Sequence, residues 1–255
     1  MRHIIQLLTL VDSATCIGSD QGLQVFNKLK QAIDAILAKS EHAGATIEIQ
    51  LQSIEVLEMT FARNCLASIV KTYLGECFLL MSGAKDADVL DNLDHACLAK
   101  GVNAYYQQDR VYRILGPALS PAANFLLATA LRQTTQPLTS SLMTSVLNGL
   151  NGAESLNQVA TKDASIGSRP AVAPVIFRLE GVDLPAETKE AGSARPDAEP
   201  MLGAEPETKQ SKKQVSVQSI SLRLSKLATL GLLRAQEGYS ETGGRENHYL
   251  LPEKN

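Results

Sequence analysis

The sequence predicts an α/β fold: a small mixed sheet with helices packed on it, followed by a helical unit closed by a two-stranded ribbon. Three observations carry this reading. Apolar runs of strand length alternate with helix-period segments from Ile4 to Leu115. Val215 to Leu251 then carries one helical stripe, a glycine stop and two short strand-like runs. Between these regions, Pro185 to Lys213 is poor in large apolar residues and rich in Pro, Glu, Ala and Lys. Such a composition buries too little surface to offset its ordering entropy, so this stretch is expected to be disordered.

The elements follow in order. Ile4 to Val11 (IIQLLTLV) reads as a strand. Ser19-Asp20-Gln21-Gly22 leads into a helix with Leu23, Phe26, Leu29, Ile33 and Ile36 or Leu37 inward. Thr46 to Leu51 alternates with period two, as a half-buried strand does. Met59 to Leu74 reads as a helix with Phe61, Cys65 and Ile69 inward, joined by Leu66 and Tyr73. Cys77 to Ser82 is a continuous apolar run, expected of an interior strand. Ala87 to Lys100 is a third helix, and Val102–Tyr106 and Arg110–Leu115 are short strands.

Ser120-Pro121 opens a helix running to Gln133, and Thr139 caps another over Ser140 to Leu147. Ser216 is the expected N-cap of a helix whose stripe is Val217, Ile220, Leu224 and Leu227. Gly231 stops that helix in a left-handed residue. Leu232-Leu233 starts one strand, Gly243-Gly244 makes a tight turn, and His248 to Leu251 returns.

The expected organisation is an α/β domain over 1–117, first helices over 118–150, an insertion or linker over 151–213, and a last helix with its ribbon over 214–255. Two layouts stay open. The last region either completes a fold begun at 118–150 and interrupted by the insertion, or forms a separate truncated module. The interrupted layout is preferred because Val215 to Leu251 alone is too small to bury a core.

The chain has 255 residues, 44% hydrophobic content, no Trp and 4% aromatics, so its core is mostly aliphatic. Its net charge of −3 excludes a purely electrostatic nucleic-acid binder. From Lys209 onward, eight basic residues face four acidic ones, so a basic region is carried by an acidic remainder. Cys16, Cys65, Cys77 and Cys97 lack CxxC spacing, which predicts reduced thiols without a zinc site. No signal peptide or membrane-length run is read, so a cytoplasmic location is expected.

The C-terminal region resembles the winged-helix DNA-binding regulators, including the MarR type. The resemblance lies in S-x-R-L-x-K-L-x-x-L-G-L-L-R from Ser221 to Arg234, and in G-G-R-x-x-x-Y-x-L from Gly243 to Leu251. It implies double-stranded DNA as partner, bound by a homodimer, since one helix reads few base pairs. It also assigns the recognition helix Gln218, Ser221 and Lys226, with Arg223 at its flank as a phosphate contact, and the wing Arg245. Gln reads adenine, and Arg or Lys reads guanine or meets phosphate. Leu222 departs from the polar residue common there, leaving room for a thymine methyl or a protein contact. For Lys226 and Arg234, a solvated surface role competes with phosphate contact.

The order of strands and helices from Ile4 to Leu115 resembles a STAS-like domain, as does TIEIQL followed by a helix opening Met59-Thr60-Phe61-Ala62. That resemblance implies a sensing role or a regulatory protein partner, with Thr60 at a helix start where some relatives carry Ser. The Asp-Ser-Ser or Asp-Ser-Gly phosphorylation motif of anti-sigma antagonists is absent.

No enzyme is read, and no cofactor. His3, His42, His95 and His248 are scattered, without a partnering Cys, Ser or Asp signature. Asp86, Asp88, Asp91 and Asp94 fit a solvated helix start better than a cation site. Gly18 to Gly22 matches no phosphate-binding fingerprint. The expected function is therefore a DNA-binding transcriptional regulator with a sensing domain. The alternative is an interaction module whose C-terminal unit docks a protein.

Overall fold

A computed structural model of the protein describes residues 2–39, 45–108, 111–132, 138–149, 176–178, 216–239 and 245–252. The chain opens with β1 (Arg2–Gln6), a 3-10 turn (Leu7–Thr9), β2 (Thr15–Cys16) and α1 (Ser19–Leu37). It continues through β3 (Thr46–Gln50), β4 (Val56–Leu57), α2 (Met59–Asn64), α3 (Leu66–Thr72), β5 (Phe78–Ser82) and α4 (Ala87–Lys100). Then come β6 (Ala104–Gln108), β7 (Val111–Leu115), α5 (Pro121–Arg132), β8 (Leu138–Thr139), α6 (Ser140–Gly149) and β9 (Ile176–Arg178). The last elements are α7 (Val217–Thr229), β10 (Arg234–Tyr239) and β11 (Arg245–Leu250).

The main sheet has the order β1-β3-β5-β6-β7-β9. β1, β3, β5 and β6 are parallel; β6–β7 and β7–β9 are antiparallel. Interior β5 (FLLMS) reads as a near-continuous apolar run because both faces are covered. Interior β3 (TIEIQ) alternates as expected but is buried on both faces, with Thr46 and Glu48 only 0% and 5% exposed. Alternate residues serve different layers. Ile47, Ile49, Leu79, Met81, Ala104 and Tyr106 join a core with α1 through α4. Phe78, Leu80, Tyr105, Tyr112 and Ile114 point the other way, into a second core built by α5, α6, α7 and the strands after it. The mixed α/β class is therefore as expected, and the sheet is the layer shared by both cores. Cys16, Cys65, Cys77 and Cys97 are free and buried within the first core.

Beside the apolar patch of the second face lies a polar strip. Arg2 donates through Nε to Glu48 Oε2 at 2.8 Å and through Nη2 to Gln107 Oε1 at 3.0 Å. Ser82 and Gln50 donate to the other Glu48 oxygen. Arg2 and Glu48 are 11% and 6% exposed, so one guanidinium holds three strands of the sheet together in a poorly hydrated place.

Several elements depart from the sequence reading. The run from Ile4 leaves the sheet after Gln6: Thr9 donates to the Gln6 carbonyl at 2.7 Å and Leu10 N–H to Leu7 at 2.9 Å. Leu7 and Val11 remain buried, so apolarity here marked burial rather than strand. The inward line of α1 is Gly22, Val25, Leu29 and Ile33, and Leu23 is 50% exposed. Gly22 is the reason: a Cβ there would lie 3.1 Å from the Phe61 carbonyl oxygen, so its bare backbone lets α1 close on α2. The single helix expected over Met59–Leu74 breaks at Cys65 (φ −100, ψ −80), where the Ser68 hydroxyl takes up the Arg63 carbonyl. β6 begins two residues later than expected and runs to Gln108. Within the insertion, Ile176–Arg178 returns to the main sheet and pairs with Val111–Arg113. The disorder expected of Pro185 to Lys213 lies outside the described residues, as does the Gly243-Gly244 turn.

α4 runs over the residues expected. Asp86 caps it by accepting from Asp88 N–H at 3.0 Å, and Gly101 ends it. Asp94 accepts from Gly116 N–H at 2.6 Å. A side chain at Gly116 (φ 93) would sit 2.1 Å from the Val102 carbonyl oxygen, so that turn admits only glycine.

Candidate nucleic-acid interface

The interface is built from α7 upward. Ser216 accepts from Ser219 N–H at 3.2 Å, satisfying one of the donors left free at a helix start. Ile220, Leu224 and Leu227 turn inward and are fully buried with Leu126, Leu127, Leu131, Met143 and Leu147. Gln218, Leu222, Ser225, Lys226 and Thr229 are consequently left on the outward face, all exposed. Gly231 (φ 73) ends the helix, and Leu232 N–H and Leu233 N–H both turn back to the Leu227 carbonyl. Leu232 and Leu233 are thus a buried turn rather than the start of the strand, which begins at Arg234.

β10 and β11 form an antiparallel ribbon from Arg234↔Leu250 out to Tyr239↔Arg245. β8 pairs with β11 on its other side at Thr139 and Leu138, giving the order β10-β11-β8. As expected, Thr139 caps α6, accepting from Leu142 N–H at 3.1 Å. Tyr249 is buried, and its hydroxyl lies 3.0 Å from Ser225 Oγ, which pins the ribbon to α7. Arg245 and Asn247 share the Tyr249 face of β11 by the period of two. They flank an open groove of about 540 Å³ whose other wall is Val217, Gln218, Ser221 and Leu222.

The expected site residues therefore separate into groups. Gln218, Ser221 and Arg245 meet at the groove. Lys226 is exposed further along the outward face. Arg223 is not on that face. It lies three residues from Ile220 and four from Leu227, on the flank of the buried stripe. It is half-buried, and its Nη1 finds no hydrogen-bond partner among the described residues. Asn247 and Glu246 were missed by the sequence reading. The alternation of β11 could have found Asn247; Glu246 is held by Ser141 from α6 at 3.1 Å, which no local pattern foretells.

The whole unit is fastened to the main sheet. Tyr105 donates from its buried hydroxyl to the Leu232 carbonyl, and Arg234 Nη1 donates to the Glu76 carbonyl at 2.6 Å.

Thr60 sits at the second residue of α2, half-buried. Its hydroxyl is hydrogen-bonded to the Glu58 carboxylate, which also accepts Gly18 N–H at 2.6 Å. The Thr60 bond first, and the Gly18 bond second, hold the Glu58 carboxyl below its ordinary pKa. A phosphate on Thr60 would stand beside that carboxylate. Val56 and Met59 are exposed near this helix start in the chain, and Ile17, also exposed, follows β2, which pairs with β4.

Burial pushes the Cys16 thiol up to about 11 and the Cys77 and Cys97 thiols up to about 12, which suppresses the thiolate each would need as a nucleophile or metal ligand. Among the described residues, no His, Cys, Asp and Glu cluster is arranged to hold a metal ion. No described helix is long and apolar enough to cross a membrane. Comparison with protein families, curated proteins and solved structures found no match to this chain.

Proposed function

We propose that the protein is a DNA-binding regulator in which α5, β8, α6, α7, β10 and β11 form one winged helix, interrupted between α6 and α7. α7 enters the major groove of duplex DNA, and the β10–β11 ribbon lies along its flank. The STAS-like sheet with α1 to α4 takes a regulatory signal or partner. The observation that carries this reading is the groove between α7 and β11, where Gln218, Ser221 and Arg245 converge. The strand order β10-β11-β8 and the single core joining α5, α6 and α7 support one interrupted unit. A helix with a polar outward face beside an exposed arginine suits a polyanion with readable base edges. Binding as a homodimer follows from the few base pairs that one helix covers.

Arg245→Ala tests it. Arg245 is exposed, so the fold should survive the change. Duplex binding should weaken by about 1–3 kcal/mol if Arg245 reads a groove. If it touches phosphate alone, the loss should be equal on all sequences, and the slope of log K against log salt should fall by about one.

A second reading, protein docking by the same surface, is favoured by its exposed apolar side chains Val217, Leu222 and Tyr239. In that case log K for duplex DNA would be flat in log salt, and Arg245→Ala would affect a protein partner instead.

A further inference from the structure

Leu222 has no packing reason to be a leucine. It is 75% exposed, more than any other large apolar side chain among the described residues. It stands in the middle of the outward face of α7, with Gln218 one turn before it and Lys226 one turn after. Ser221 and Ser225 are its other neighbours on the helix, and Arg245 lies across the groove. The other exposed apolar side chains of this surface are Val217, 45% exposed at the edge of the groove, and Tyr239, 71% exposed on the ribbon opposite Arg245, and polar and cationic groups stand around Leu222 itself. A protein interface centred here would need a wider apolar patch with the charge pushed to its rim.

The major groove of duplex DNA offers apolar surface of this size. It admits one α-helix, and the only apolar group its base edges present is the C5 methyl of thymine. Gln218 suits the neighbouring chemistry, since its amide can both accept from adenine N6–H and donate to adenine N7. Residues four apart on a helix are separated by about 6 Å of rise, within reach of adjacent base pairs.

We propose that Leu222 is a specificity-determining residue that packs on a thymine methyl, and that Gln218 reads adenine beside it, so that the half-site under α7 contains A·T pairs. This rests on the DNA reading above and deepens it.

The test separates the two ideas. Duplexes are enriched on the full chain from a random library, and the enriched pool is then copied with deoxyuridine in place of thymidine. Deoxyuridine keeps every hydrogen-bonding group and every phosphate and removes only the methyl. The full chain should bind the uridine copy about fourfold more weakly for each methyl lost under Leu222. Leu222→Ala, which removes no core contact, should bind the two copies equally. Equal binding of both copies by the unaltered chain overturns the assignment while leaving DNA binding intact. Failure to enrich any duplex, with no salt-dependent binding, overturns the DNA reading itself. A Leu222→Ala change that lowers self-association without altering the ratio of the two copies assigns the side chain to a contact between copies and also overturns the proposal.

Discussion

Glu48 holds Arg2 in a place with little water, and the two must be judged together. Removing only the carboxylate strands a guanidinium that already has one buried nitrogen, Nη1, without a partner. Glu48→Ala should therefore cost about 3–5 kcal/mol in denaturant unfolding. The double change Arg2→Met with Glu48→Leu should cost clearly less, because neither charge is then left alone. Equal losses would mean the pair acts through packing only. Glu58 offers a pH signature at the same scale. Its folded pKa is depressed, first by Thr60 and then by Gly18, so its stabilisation is complete above the ordinary carboxyl pKa and fades as pH falls through the folded value. Glu58→Gln keeps the acceptor oxygen but removes the titration. Its stability should fall less steeply than the unaltered chain's below about pH 4.3. Asp34, depressed first by Lys30 and then by Tyr73, should keep some acid sensitivity in both proteins. Neither network was readable in the sequence. Arg2 meets Glu48 and Gln107 only because parallel pairing brings distant segments together, and a single chain read linearly carries no trace of that.

α7 illustrates how much an element's local code can say. Ser216, the three- and four-residue spacing of Ile220, Leu224 and Leu227, and Gly231 fix its start, inward face and end, and were legible. Val217, read on the same stripe, is instead 45% exposed, because the first turn of the helix stands clear of the core. The bounds of α4 were legible as well, and the structure adds its caps, Asp86 and Gly101. Legibility failed where a neighbour decides. Leu23 looked inward by periodicity, but contact of Gly22 with α2 rotates α1 so that Leu23 faces out. The candidate site shows the same division. Arg223 was legible as a flank residue from its spacing to Ile220 and Leu227, and it is half-buried there, but the unpartnered state of its Nη1 among the described residues depends on neighbours the spacing does not name. Leu224 tests whether α7 stabilises more than itself. It is fully buried in the core that also holds Leu126 of α5 and Leu147 of α6. Leu224→Ala should cost about 2–5 kcal/mol and should lower hydrogen-exchange protection in α5 and α6 along with α7. Loss confined to α7 would mean the three helices do not unfold as one unit.

At the scale of the molecule, the main sheet is a shared floor. α1 to α4 stand on one side of it and α5 to α7 on the other. Tyr105 and Arg234 tie the turn after α7 to the sheet and to the segment before β5. These two hydrogen bonds connect the sheet directly to the end of the helix proposed to read DNA. The interruption between α6 and α7 has a different consequence. Ile220, Leu224, Leu227, Leu232, Leu233 and Tyr249 reach their core from beyond it, so their attachment depends on packing and not on the peptide bonds that lead to them. The protein is in this sense a complex of two pieces that happen to be one chain. A protease site placed between 185 and 213 should, once cut, leave both pieces eluting together under native conditions. They should part in denaturant and reassemble when it is removed, with an affinity that Leu224→Ala weakens. Separation on cutting alone would show that the covalent link, and not the core, keeps the last helix in place. Co-elution would make the second piece, supplied in trans, a dose-controlled switch for whatever α7 binds.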